Sequence, residues 1–163
     1  MASSIKSHET LLRKYMQLVK PERIIEWGPG ESTEIMLDED PDVKIISIEH
    51  DTAWYNKAVE RFKDYPNVGL KLYDRAMEKK KCKYPYWAFK WAPYDLAFID
   101  GRRRVECAII AMQCLTEKGV CILHDAGRRV YRKPLAPYMQ VLDEVESTLA
   151  FKHAFYIYCG AKK

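Results

Sequence analysis

The run "VKIISIEH" (43–50) constrains the fold more than any other stretch of this chain, because it is apolar and β-branched almost from end to end. A strand of that kind buries both faces, and sheets covered on both faces are mostly parallel, with helices as crossovers. The flanking sequence supplies the crossovers. In "SHETLLRKYMQLVK", Leu11, Leu12, Tyr15 and Leu18 recur at helical spacing, Ser7 is the expected N-cap, and Pro21 ends the helix. "RIIEW" reads as a short strand and Ser32 to Leu37 as a short helix. Thr52 to Phe62 reads as a helix and "NVGLKLYD" (67–74) as a third strand.

Pro85 and Pro93 predict mostly loop over 75–93. Beyond it come the strand "YDLAFID" (94–100), the helix "RRVECAIIAMQCLTE" (103–117) and the strand "KGVCILHD" (118–125). "PLAPYMQVLDEVESTL" (134–149) predicts a further helix, broken or begun near Pro137, and "FKHAFYIYC" (151–159) a last strand. Alternation at this spacing predicts right-handed β-α-β units. The expected fold is α/β: a Rossmann-like, doubly wound, mainly parallel sheet of about six or seven strands with helices on both faces. Residues 1–163 are expected to form one domain.

With 48% apolar and 31% charged residues over 163 positions, the chain can bury a core and is not disordered. No apolar stretch approaches the roughly 20 residues that span a bilayer. The start, "MASSIKSHETLLRKYM", lacks the apolar segment of a secretory signal, so a cytoplasmic location is expected. Five cysteines (Cys82, Cys107, Cys114, Cys121, Cys159) include no C-x-x-C pair and predict neither a disulfide framework nor structural zinc. A net charge of +4 is too mild to predict nucleic-acid binding. A small-molecule partner is expected, and a homo-oligomer is compatible with the sequence.

In such sheets ligands bind outside the carboxyl ends of the strands, where strand order reverses. The first strand runs into "EWGPGEST", with Glu26, Gly28 and Gly30. Glycines let a ligand approach the backbone, and the N–H groups near Ser32 and Thr33 at the helix start favour an anion. A tight turn capped by Ser32 accounts for the same residues. Glu49 ends the second strand nineteen residues after Gly30, as placed to accept both hydroxyls of a ribose. A solvated helix-start carboxylate would look alike. Asp74 ends the third strand, where it could meet an adenine edge or serve as a turn or N-cap residue. Asp100 ends the fourth strand and His124-Asp125 the fifth. Acids at five consecutive strand ends beside one glycine loop make the constellation the signal.

Those segments, "EWGPGEST", "IISIEHDTAWY", "YDLAFIDGRRRV" and "GVCILHDA", resemble successive motifs of class I S-adenosylmethionine-dependent methyltransferases. The similarity covers roughly residues 10–160 and is greatest to small-molecule and glycan-type O-methyltransferases. It implies that Glu26, Gly28 and Gly30 line the methionine part of the cofactor, with Ser32 or Thr33 at its carboxylate. Glu49 would hold the ribose, His50 flank the adenine, and Asp74 and Arg75 read its amino edge. Asp100 would lie near the sulfonium or the acceptor.

The chain departs from the metal-dependent catechol-type relatives at two positions. Asp100 and Asp125 match their metal-binding aspartates, but Ala126 replaces the adjacent asparagine. Two carboxylates plus water can hold magnesium, so a divalent metal is allowed but not favoured. Their lysine three residues after the first aspartate is here Arg103, which does not deprotonate and would orient an anionic acceptor. His124 is then the candidate base, or else a buried histidine that positions Asp125.

"KKKCKYPYWAFKWAPY" (79–94) mixes five lysines with six aromatic residues. It could clamp a base, a sugar or a polyphenol, or pack its aromatics on a neighbouring helix. With Arg102, Arg103, Arg104, Arg128, Arg129 and Arg132 after the fourth and fifth strands, the reading is a methyltransferase with a small, anionic or glycan-like acceptor. The alternative is a non-catalytic S-adenosylmethionine-binding module or supporting subunit. An NAD-type enzyme is disfavoured, because Gly-x-Gly-x-x-Gly is not present.

Overall fold

The computed structural model describes residues 7–74 and 83–154. Arg75, Lys79 to Lys81, Cys82, Cys159 and the outer part of the expected last strand lie outside the described residues. The elements in order are α1 (Ser7–Val19), β1 (Arg23–Trp27), α2 (Glu31–Glu39), β2 (Lys44–Glu49), α3 (Thr52–Arg61) and β3 (Val68–Leu72). A 3-10 segment (Pro85–Lys90) precedes β4 (Tyr94–Ile99), α4 (Arg104–Cys114), β5 (Leu115–Leu123) and α5 (Arg129–Leu135). A short 3-10 turn (Ala136–Tyr138) then leads to β6 (Met139–Val145) and β7 (Thr148–His153).

The strands form one seven-stranded sheet in the order β3-β2-β1-β4-β5-β7-β6. Strands β1 to β5 are parallel neighbours, whereas β7 runs antiparallel to both β5 and β6. The chain builds outward from β1 to β3 and then returns to set β4 on the other side of β1. Strand order therefore reverses between β1 and β4, and their carboxyl ends open a crevice there.

Alternation along the strands divides the core in two. Ile24, Ile45, Leu96, Phe98 and Ile122 pack with Leu11, Leu12 and Met16 of α1 and Met36 of α2. Ile25, Trp27, Ile48, Ala97, Ile99 and Leu123 pack with Cys107, Ala108 and Ala111 of α4 and with Ala88 of the 3-10 segment. Helix α1 uses Met16 on its buried face, whereas Leu18 is 66% exposed. It stops at Lys20, which adopts a left-handed φ of 48° and donates its N–H to the Met16 carbonyl at 3.0 Å, just before Pro21.

Two expectations are corrected. Residues 134–149 do not form a helix: α5 already ends at Leu135, and 139–145 is an edge strand. Val145 pairs with Thr148 across a two-residue turn in which Glu146 has a φ of 50°. Helix α4 also ends at Cys114, and β5 begins at once at Leu115, so Leu115 to Glu117 are strand rather than helix. The 3-10 segment divides the basic, aromatic stretch: Tyr84, Pro85 and Ala88 are buried, while Tyr86 and Phe89 face solvent. Cys107, Cys114 and Cys121 are buried and in no disulfide. No helix among the described residues is long and apolar enough to cross a membrane.

Candidate active site

A cleft of about 690 Å³ opens over the carboxyl ends of β1, β2 and β4. Its lining includes Gly28, Gly30, Glu49, His50, Asp100 and Arg104. Gly28 has a φ of 92°, and its N–H donates to the Ile48 carbonyl at 3.1 Å. A Cβ there would meet the Gly101 nitrogen at 3.1 Å, and one on Gly101 would meet the Tyr84 hydroxyl at 2.3 Å. The loops after β1 and β4 thus touch through backbone, and the cleft floor is peptide. Beside Gly30 a Cβ would meet nothing within 4 Å, so that side of the loop is open.

The five acids at the strand ends play different parts. Glu26 is fully buried beneath the loop. It accepts hydrogen bonds from Ser32 Oγ at 2.5 Å, Thr33 Oγ1 at 2.8 Å and the Ser47 hydroxyl. Burial pushes its carboxyl up to about 7 against the pull of those three donors, and the negative charge of Asp100 adds to the rise. Thr33 Oγ1 also accepts the Gly30 N–H at 3.1 Å. Glu26, Ser32, Thr33 and Ser47 therefore form an internal clasp that shapes the loop. Ser32 lines the cleft, but its hydroxyl is turned to Glu26; Thr33 is wholly buried.

Glu49 faces the cleft and is 5% exposed. Its Oε1 accepts the N–H groups of His50 at 2.6 Å and Asp51 at 2.8 Å, and Oε2 has no hydrogen-bond partner among the described residues. His50 Nδ1 lies 2.9 Å from the same Oε1, and its ring stands edge-on to Tyr84 at 5.6 Å. Asp74 is exposed beyond β3 and is not part of the cleft lining.

Asp100 faces the cleft from the end of β4, and Nδ1 of His124 lies 2.9 Å from its Oδ1. Burial alone would raise the Asp100 carboxyl, but the His124 hydrogen bond and the charges of His124, Arg104 and His8 together hold it below the ordinary value. His8, from the first turn of α1, lines the cleft and sets its ring edge-on to His124 at 4.9 Å. Residue patterns gave no reason to single out His8: it precedes every strand and reaches Asp100 only because α1 crosses the sheet.

Arg104, one of the six arginines expected at the mouth of the site, instead turns inward to bridge two strand ends. Its Nε donates to the Gly101 carbonyl at 3.1 Å. Its Nη1 donates to the His124 carbonyl at 2.8 Å and to Asp125 Oδ2 at 3.1 Å. Its Nη2 donates to the Asp100 carbonyl at 3.0 Å and pairs with Asp100 Oδ1 at 2.8 Å. The guanidinium fork lets one side chain serve all of these oxygen acceptors at once. Only its place in "GRRR" could have marked it, and that run does not say which arginine turns inward. Arg103 turns outward: it has a φ of 51° and pairs with Glu106 at 2.8 Å, outside the cleft lining. Asp125 and His124 likewise lie outside that lining.

The pair Asp100 and Asp125 does not fit a divalent metal. Arg104 already bridges both carboxylates, Ala126 offers no side-chain oxygen, and no group of three His, Cys, Asp or Glu side chains among the described residues is arranged to hold an ion.

No family model and no curated protein matches this sequence. Solved structures do match. An O-methyltransferase from Bacillus cereus in complex with SAH superposes with a TM-score of 0.69 at 15% identity, over 93% of this chain and 84% of that one. A methyltransferase-like protein from Silicibacter pomeroyi gives 0.68 at 18% identity, over 94% and 87%. The N-methyltransferase NodS from Bradyrhizobium japonicum gives 0.65 at 11% identity, over 90% and 94%. The chain has the Rossmann-like class I methyltransferase fold.

Proposed function

We propose that the protein is a cytoplasmic S-adenosylmethionine-dependent methyltransferase acting on a small, anionic or glycan-like acceptor. One observation carries this reading: two carboxylates, Glu49 and Asp100, flank a glycine floor in a single cleft at the point where strand order reverses. S-adenosylmethionine would supply a methyl group made electrophilic by its sulfonium. The chain's contribution is alignment, and that suffices for such a displacement. Glu49 offers an unused Oε2 to ribose hydroxyls while backbone N–H groups fix its other oxygen. The open side of Gly30 and the first N–H groups of α2 accept a carboxylate. Asp100 favours a cation across the cleft. In the tautomer protonated at Nδ1, Asp100 holds His124 and leaves Nε2 as the candidate base, although the ring lies outside the cleft lining. Exposed Arg102, which lines the cleft without an acidic partner among the described residues, suits an anionic acceptor.

A second reading is a module that binds the cofactor without transferring its methyl group. It is favoured by the absence of His124, Asp125 and Arg103 from the cleft lining. Calorimetry and a transfer assay decide between them. Binding of S-adenosylmethionine is expected, and Glu49→Ala should weaken it by at least about tenfold, the loss of a charge-assisted hydrogen bond. Unchanged affinity in that variant would end the ribose assignment, and binding of NAD alone would end both readings. Labelled methyl should reach a cell-extract acceptor with the parent and not with Asp100→Asn. Tight binding with no transfer to any acceptor supports the module.

A further inference from the structure

We infer that Arg104 is the resident cation of this site: its guanidinium takes the position between Asp100 and Asp125 that a divalent ion would need, and so excludes one. The two carboxylate oxygens lie 2.8 and 3.1 Å from neighbouring nitrogens of one guanidinium, so both converge on a single positive centre. The side chain cannot easily swing away. It is 14% exposed, holds three backbone carbonyls (Gly101, His124 and Asp100), and lies 5.5 Å from the face of Tyr131. An arginine does not lose its proton at any physiological pH, so this positive charge is permanent. A metal ion entering here would have to displace a like charge tied at five points, and among the described residues no third His, Cys, Asp or Glu side chain joins the two carboxylates.

Arg104 is thus a positioning residue. It ties the end of β4 to the end of β5 and orients both carboxylates, which in a metal enzyme is the ion's task. The inference concerns ion binding alone and stands apart from the proposed transfer activity.

The test is a titration with Mn2+, followed by the resonance of the free ion, with neither cofactor nor acceptor present. The parent protein should show no saturable site that Asp125→Ala removes. Arg104→Gln, which keeps a polar stem but no charge, should bind one Mn2+ at least about tenfold more tightly than the parent, because two carboxylates lose their counter-charge. The double variant Arg104→Gln with Asp125→Ala should lose that site. Circular dichroism establishes that each variant is folded. A parent that binds one Mn2+ and loses it on Asp125→Ala overturns the inference, as does a folded Arg104→Gln protein that gains no site. Should Arg104→Gln not fold, the parent and Asp125→Ala titrations alone decide.

Discussion

Replacing Glu26 by glutamine should change how stability depends on pH, by an amount that follows from its surroundings. The folded carboxyl titrates at about 7 against an ordinary value of 4.5, chiefly because it is fully buried. Between those values the folded protein keeps a proton that the unfolded chain has released. Glu26 therefore contributes fully below the lower value, and that contribution is lost as pH rises through the upper one. At about 1.4 kcal/mol per pKa unit, the whole swing is roughly 3 kcal/mol. Glutamine removes the titration yet keeps one acceptor oxygen, and the Ser32, Thr33 and Ser47 hydroxyls can rotate to accept from its amide. Urea unfolding of parent and variant from about pH 5 to about pH 8 should thus show the difference moving in the variant's favour by roughly 2–3 kcal/mol. A difference that stays flat, or moves toward the parent, would refute the claim that burial raises the Glu26 carboxyl well above its ordinary value.

Two further expectations concern the loops around the cleft. Gly28→Ala should cost about 1–3 kcal/mol in denaturant unfolding, since its φ of 92° and a 3.1 Å contact with the Gly101 nitrogen both oppose a Cβ. The same variant should bind S-adenosylmethionine poorly at temperatures where it is still folded; parental stability and affinity would contradict the described loop contact. Arg103→Ala should leave cofactor affinity within about twofold, because its exposed pair with Glu106 is worth about 1 kcal/mol at most and lies outside the cleft lining. A tenfold loss in calorimetry would put Arg103 at the ligand after all.

Much of the fold could be read from residue order, because strands buried on both faces announce themselves. The β-branched run of β2 and the apolar β4 needed no tertiary information, and the glycines after β1 located the strand-to-helix turn. The hairpin β6–β7 was hidden for a specific reason. Its turn is Glu146-Ser147 rather than the Asn-Gly that favours a positive φ, and Leu135, Met139, Leu142 and Val145 also fit a helical period. Pairing with β7 overrode that local pattern. At the site, the sequence located the acids but not their directions. Glu26 points the way Ile24 does, under α2, and becomes a clasp; Asp100, two residues beyond Phe98, emerges toward α1 and His8. Whether a strand-end carboxylate enters the cleft depends on the helix it meets, which residue spacing along one strand does not encode.

The peptide floor of the cleft also limits what this lineage can become. Gly28 and Gly101 face one another with no room for a side chain on either, and Tyr84 closes the remaining space above Gly101. A Cβ at either glycine presses on the facing loop, so substitutions at these positions are coupled and each carries a cost. Trp54, Arg61 and Arg102 line the same cleft as exposed side chains. Divergence toward new acceptors should therefore accumulate around the mouth of the site, while its base is inherited intact.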